Sequence, residues 1–279
     1  MKTILALAWS ADDTTTFDVA GSLAKRHGSH VIGLAPPSFR AVSVAWAEAG
    51  MGAPFDMLDD DEEEKRRIEG LRQAFDARMA AAGIGKVAAG ALEGGACWAD
   101  SDHAAPATIG ANGRAADIMI VPQPGGPPKM PESIFEGALF ESGRPVLMVP
   151  QGAPAEVGRR VVVAWNGSTE TARAIAMASS LLKSAEAVSV ISVEGAMVPG
   201  PSAEELALSL RRHGLTVTVR HYPVVARSTG HTLVEASQEV GADLIIKGAY
   251  TQSRLRQLIF GGLTRHLITA SPIPVLFAH

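Results

Sequence analysis

The sequence predicts an α/β protein of two tandem doubly wound domains, each a five-stranded parallel sheet flanked by helices, in the Rossmann-like or flavodoxin-like manner. Three observations predict it. Short β-branched apolar runs alternate with longer segments of helical periodicity, as a parallel sheet covered on both faces requires. The order of five strands and four helices occurs twice along the 279 residues. Landmarks also return in order: Ala8-Trp9 with Ala164-Trp165, Ala116-Asp117 with Ala242-Asp243, and Pro145-Val146-Leu147 with Pro274-Val275-Leu276. A repeat this long is no solenoid; it means two copies of one domain. The expected boundaries are 1–152 and 157–279, joined by a short polar stretch marked by Gly and Pro.

In the first half, a strand at residues 3–9, a helix from about 12 to 27 and a strand at 30–36 open a βαβ series. A loop at 37–60 follows, containing Trp46, and loops of that length are commonly functional. The acidic run 59–64 begins a helix reaching residue 82, with negative charge on the N-terminal turn where the helix dipole favours it. Metal binding by these carboxylates would need further ligands at fixed spacing, and the run supplies none. A third strand is expected at 87–92, then a helix at 105–114, a strand at 117–121, a proline-rich turn at 122–128 that cannot be regular structure, a short helix, and a strand at 145–149.

The second half repeats the scheme. Strands are expected at 160–166, 187–193, 216–222, 244–248 and 274–278. Helices are expected at 168–182, 201–213, 228–240 and 254–268.

Composition narrows the function. A net charge of −4 and a pI near 6.1 give no electrostatic footprint for nucleic acid or an anionic membrane. No apolar stretch reaches the length of a membrane span. Lys2 and the apolar run after it imitate a signal peptide, yet the run is short, Asp12 and Asp13 follow closely, and the same pattern returns at 160–166. A single cysteine, Cys97, excludes an intramolecular disulfide and suits the cytoplasm. The eight histidines show no pair at metal-ligand spacing. His103 with Asp100 and Asp102 near Cys97 lacks the context of a nucleophile and base, and Cys97 reads as a small packed hydrophobe.

The most informative stretch runs from Asp243 to Arg265 and reads as strand, tight turn, helix. Gly248 ends the strand, where a missing side chain lets another group approach the backbone. The spacing resembles that of the universal stress protein family, whose nucleotide-binding members carry Gly, two residues, Gly, nine residues, then Gly followed by Ser or Thr. Laid on this chain the pattern falls on Gly248, Thr251, Gly261 and Gly262, so its first and third positions match. Thr251 stands where the family has glycine, and Gly262 where it has a hydroxyl. Thr264 and Ser253 are the nearby hydroxyls. Ala164-Trp165-Asn166-Gly167-Ser168 resembles the family's first-strand turn.

The resemblance implies an adenine nucleotide alpha hydrolase-like fold and a stress-response regulatory module with ATP and Mg²⁺ in the C-terminal half. Carried over position by position, Asn166 stands where the family has a carboxylate for the nucleoside, and Val193 at its adenine-side backbone position. In the first half Ser10 takes the Asn166 place, prolines replace the glycine turn, and Glu136 sits where phosphates would arrive; no nucleotide is expected there. The family's domains pair through their last strands, which here implies intramolecular pairing through 145–149 and 274–278, with further homodimerisation open.

Two readings stand. One is a nucleotide-binding regulatory module with at most weak ATP hydrolysis. The other is a nucleotide-free scaffold that binds a protein or a small apolar ligand. A classical dinucleotide oxidoreductase is disfavoured, since no Gly-x-Gly-x-x-Gly follows either first strand.

Overall fold

The computed structural model describes residues 1–36, 61–99, 106–126, 130–223, 228–249 and 262–279. The expected loop at 37–60, the group at 100–103, and Thr251, Ser253 and Gly261 lie outside the described residues. Contacts divide the chain into two compact units, Met1–Arg144 and Pro145–His279.

In the first unit, strand β1 (Thr3–Leu7) lies between β2 (His30–Leu34) and β4 (Ile118–Pro122), and β3 (Ala96–Trp98) pairs with β2. All of these pairings are parallel, because each connection crosses back through a helix or loop. Helix α1 (Thr15–His27) stops at Gly28, whose φ of 61° gives the left-handed cap that a β-carbon would resist. Helix α2 (Asp61–Ala81) packs Phe75 edge-on to Phe17 at 5.2 Å and against Trp98 at 5.7 Å. Gly33 makes room for them, since a β-carbon there would stand 2.7 Å from the Trp98 ring. Helices α3 (Pro106–Gly113) and α4 (Glu132–Glu141) follow.

One expected strand moves. Residues 87–92 do not form the third strand; the sheet takes Ala96–Trp98 instead, and Lys86 makes only an isolated bridge to Ala96. The reason is burial. Leu92 is fully exposed, whereas Ala96, Cys97 and Trp98 are all buried against β2. Three apolar residues that can bury outweigh a longer β-prone run that cannot.

The second unit orders its strands β5-β10-β9-β6-β7-β8. Strands β6 (Arg160–Ala164), β7 (Ala187–Val193), β8 (Val217–Tyr222), β9 (Leu244–Gly248) and β10 (Val275–Ala278) are mutually parallel. Strand β5 (Val146–Val149) pairs antiparallel with β10, Leu147 opposite Leu276. The expected helix at 168–182 is two helices, α5 (Thr169–Met177) and α6 (Ser179–Lys183), interrupted at Ala178. Helices α7 (Ala203–Arg212), α8 (Thr229–Glu239) and α9 (Gly262–Ala270) follow among the described residues.

The α/β class read from the sequence is the observed one. In each unit the chain reverses the direction in which it adds strands beside its first strand, between β1 and β4 and again between β6 and β9. Open sheets of this kind bind ligands beyond the carboxyl ends of the strands at that point.

Candidate functional site

At the second unit's switch point, β6 delivers Trp165, Asn166 and Gly167, and β9 delivers Lys247 and Gly248. The turn after β6 begins helix α5, and its sequence explains how. Gly167 takes a φ of 84°, and Ser168 caps the helix by accepting the Thr171 N–H at 3.2 Å. The segment before α7 closes on the same turn: Val198 donates its N–H to the Asn166 carbonyl at 2.9 Å, and Trp165 donates Nε1–H to the Pro201 carbonyl at 2.9 Å.

Asn166 is buried, and its side-chain oxygen is committed internally. Oδ1 accepts the Thr171 hydroxyl at 2.8 Å and the Ser168 N–H at 3.3 Å. Because a backbone N–H can only donate, this contact fixes the amide orientation, and Nδ2 is left without an acceptor among the described residues. The position therefore presents donors. It suits a ring nitrogen or carbonyl better than it suits a ribose hydroxyl acting as donor, the duty of the family's carboxylate.

Gly248 joins this network, its N–H reaching Thr171 Oγ1 at 3.4 Å. The close approach that glycine permits is made by the protein itself. A β-carbon at 248 would run into the Thr171 nitrogen and the Glu170 carbonyl carbon, and would lie 2.7 Å from Glu170 Cβ. Gly248 is thus explained by the seating of β9 against the start of α5.

Val193 ends β7 with its carbonyl already accepting the Ala196 N–H at 3.2 Å, which leaves one lone pair of that oxygen. Gly262 and Thr264 stand in the first turn of α9. Gly262 is exposed, with open space among the described residues where a β-carbon would go.

Three residues of this site carry no signal in the glycine motif. Thr171 links Asn166 to Gly248 and is wholly buried. Lys247 is also buried, and its Nζ curls forward to donate to the Gly248 carbonyl at 3.1 Å. Burial lowers its pKa to about 8, while the Glu170 carboxylate acts in the opposite sense. Glu170 accepts the Thr169 hydroxyl through Oε1 at 3.1 Å, and its Oε2 is buried with no hydrogen-bond partner. The signal for Lys247 was present in the sequence: a single charge inside Leu-Ile-Ile-Lys-Gly, a run otherwise apolar. Around the ends of β6 and β9 the fold thus gathers an amide donor, a buried ammonium and a buried carboxylate oxygen. Among the described residues no group of three or more His, Cys, Asp or Glu could hold a metal ion.

In the first unit a guanidinium lies across the carboxyl ends of β1 and β2. Arg67 of α2 donates to the Pro36 carbonyl at 2.6 Å and the Trp9 carbonyl at 3.4 Å, at the carboxyl ends of β2 and β1. Glu64 pairs with the same guanidinium at 2.7 Å, and the guanidinium lies 5.5 Å from the Trp9 ring centre. The Ser10 hydroxyl accepts the Asp12 N–H at 3.2 Å in the turn that follows β1. At the start of β2, His30 Nε2 meets Cys97 at 3.2 Å, and burial pushes the thiol pKa up, away from the thiolate.

Residues 158–279 match the model of the universal stress protein family. A comparison with curated proteins gives no match. Among solved structures, a universal stress protein from Archaeoglobus fulgidus DSM 4304 is 16% identical, the match covering 99% of this chain and 95% of that one with a TM-score of 0.68. A functionally unknown protein from Pseudomonas aeruginosa PAO1 is 17% identical over 100% of this chain and 92% of that one, with a TM-score of 0.55. At these identities the likeness is one of fold, and it extends over both halves of the chain.

Proposed function

We propose that the protein is a stress-response regulatory module of the universal stress protein family, whose model residues 158–279 match, and that it binds an adenine nucleotide at the carboxyl ends of β6 and β9. The observation that carries the reading is the Asn166–Thr171–Gly248 network, which joins the first-strand turn to the strand beginning the family's glycine motif. It leaves the Asn166 Nδ2 at the switch point without an acceptor among the described residues, and the edge of a base would supply one. The ligand we have in mind is ATP with Mg²⁺. The described residues supply no carboxylate cluster for the cation, so Mg²⁺ would arrive on the phosphates. We assign binding rather than strong catalysis, and a cytoplasmic setting in keeping with one buried, unpaired cysteine. No described helix is long and apolar enough to cross a membrane.

Isothermal titration of the nucleotide-stripped protein with ATP and Mg²⁺, beside Gly262→Glu, tests this. The variant puts a carboxylate at the start of α9 without a packing clash among the described residues, and an acid in a first helical turn does not destabilise it. We expect one-site binding in the parent and affinity weaker by about tenfold or more in the variant, through like-charge repulsion of phosphate. Gly248→Val would be a poor choice, since its side chain would displace the start of α5 and unfold the site. Silence from the parent protein removes the nucleotide reading and leaves a nucleotide-free scaffold in its place.

A further inference from the structure

A lysine buried in a sheet asks what its ammonium is for. Lys247 occupies the fourth of five positions in β9, opposite Phe277 of β10 and next to Ile246, which pairs with Val163 of β6. A neutral side chain would pack there at no electrostatic cost, whereas taking an ammonium out of water is costly unless it is paired. Yet it is poorly paired. Of its three donors one meets the Gly248 carbonyl at 3.1 Å, and among the described residues no carboxylate stands within ion-pair distance. Glu170, in the first turn of α5, is the charged group whose field reaches it, and Glu170 Oε2 is itself unpartnered. Its side chain also bends forward to the strand end, bringing the charge beside Gly248 and the Thr171 network.

We infer that Lys247 is the anion-reading residue of the second unit, its ammonium taking a phosphate oxygen of the ligand at the carboxyl end of β9. This rests on the nucleotide reading above and names the residue that discriminates within it. Gly262 stands where the family's motif has a hydroxyl; Lys247 returns attraction for phosphate from inside the sheet. A point charge with rotatable donors serves a phosphate in any of several orientations, so close backbone approach is less needed. The ligand class follows: an adenine nucleotide bearing at least one phosphate, in preference to the nucleoside.

The test is titration with ATP and Mg²⁺ at pH 7 and pH 9, for the parent protein and Lys247→Met. The parent should lose about tenfold in affinity over that interval, as an ammonium with a pKa of about 8 gives up its proton. Lys247→Met should bind about tenfold or more weakly at pH 7 and show none of that lysine-dependent loss at pH 9. Its melting temperature should be unchanged or higher, because a buried charge is replaced by an apolar chain of similar length. If the parent binds and the variant binds equally, or if the parent's affinity is indifferent to pH, Lys247 is not the anion reader, and nucleotide binding stands without it. If Lys247→Met melts markedly lower, the ammonium is structural and the inference falls. Absence of heat from the parent overturns both the site reading and this role.

Discussion

His231 of α8 and His266 of α9 stack with ring centres 4.4 Å apart and planes tilted by 37°. Gly230 makes the approach possible, since a β-carbon there would stand 2.7 Å from His266 Cβ. Burial lowers the pKa of His266 from its ordinary value, and the neighbouring His231 adds to the effect. A lowered folded-state pKa means that the unfolded chain takes up the proton first as the solution is acidified. Stability is therefore complete above about pH 6.5 and falls as the pH drops through the folded-state value. The same sign holds for His27, lowered by burial first and then by Arg26. We expect urea-unfolding free energies to decrease from pH 7.5 to 5.5, and His266→Gln, which cannot titrate, to show a shallower slope. An unchanged slope in that variant would mean that the stacked pair is not what acid disturbs.

Helix α7 illustrates how much an element owes to its ends. Ser202 accepts the Glu205 N–H at 3.2 Å, while the Glu205 carboxylate accepts the Ser202 N–H at 2.8 Å, a complete capping box with two acids in the first turn. Arg211 and Arg212 stand in the last turn, matching the dipole. The helix is held laterally by His221 of β8, whose ring contacts the buried Ser192 hydroxyl of β7 at 2.5 Å and Glu204 at 2.6 Å. The hydrogen bond from His221 is the main reason that the Glu204 carboxyl pKa lies below its usual value. Ser202→Ala should cost about 1 kcal/mol in chemical denaturation, the usual worth of an N-cap, without moving the far side of the unit. The start of α7 was legible in Ser-Ala-Glu-Glu because a capping box is local. The break between α5 and α6 was not, because its apolar pattern runs on through Ala178. The third strand of the first unit was misplaced for a related reason: β-propensity at 87–92 is visible along the chain, but which segment finds burial against β2 is not.

At the scale of the whole molecule, the aspartate that recurs as a landmark in the two repeats makes the same joint in each. Asp117, at the start of β4, accepts the backbone N–H groups of Lys2 and Thr3 at 2.5 and 3.0 Å. Asp243, at the start of β9, accepts those of Gly158, Arg159 and Arg160, the closest at 2.8 Å. Each carboxylate thus ties the beginning of the repeat's first strand to its neighbour at the switch point. For Asp117, burial pushes the pKa up, but the Lys2 and Thr3 N–H groups together with the amino terminus and Arg144 outweigh it, and the net shift is downward. That contribution is present above about pH 3.9 and is lost as the pH falls through the folded-state value. Asp117→Ala and Asp243→Ala should each cost about 1–3 kcal/mol at pH 7, from N–H groups left without their acceptor. Unequal costs, with one near zero, would show that the repeats no longer share this joint.

The chain by itself determined the α/β class, the duplication, helix starts near residues 168, 201 and 228, and Gly248 as a point of close approach to the backbone. Each of these is written in residues a few places apart, or in a pattern that recurs. Only the tertiary structure decided what fills the space beside Gly248. Thr171, 77 residues away, meets it through the first turn of α5, and the same turn brings Glu170 within electrostatic reach of Lys247. Arg67 reaches the carboxyl ends of β1 and β2 in the first unit from a helix that the sequence showed only as a charged stretch. Periodicity and capping act between neighbours along the chain, whereas occupancy of a crevice depends on which distant side chains the packed elements bring to it.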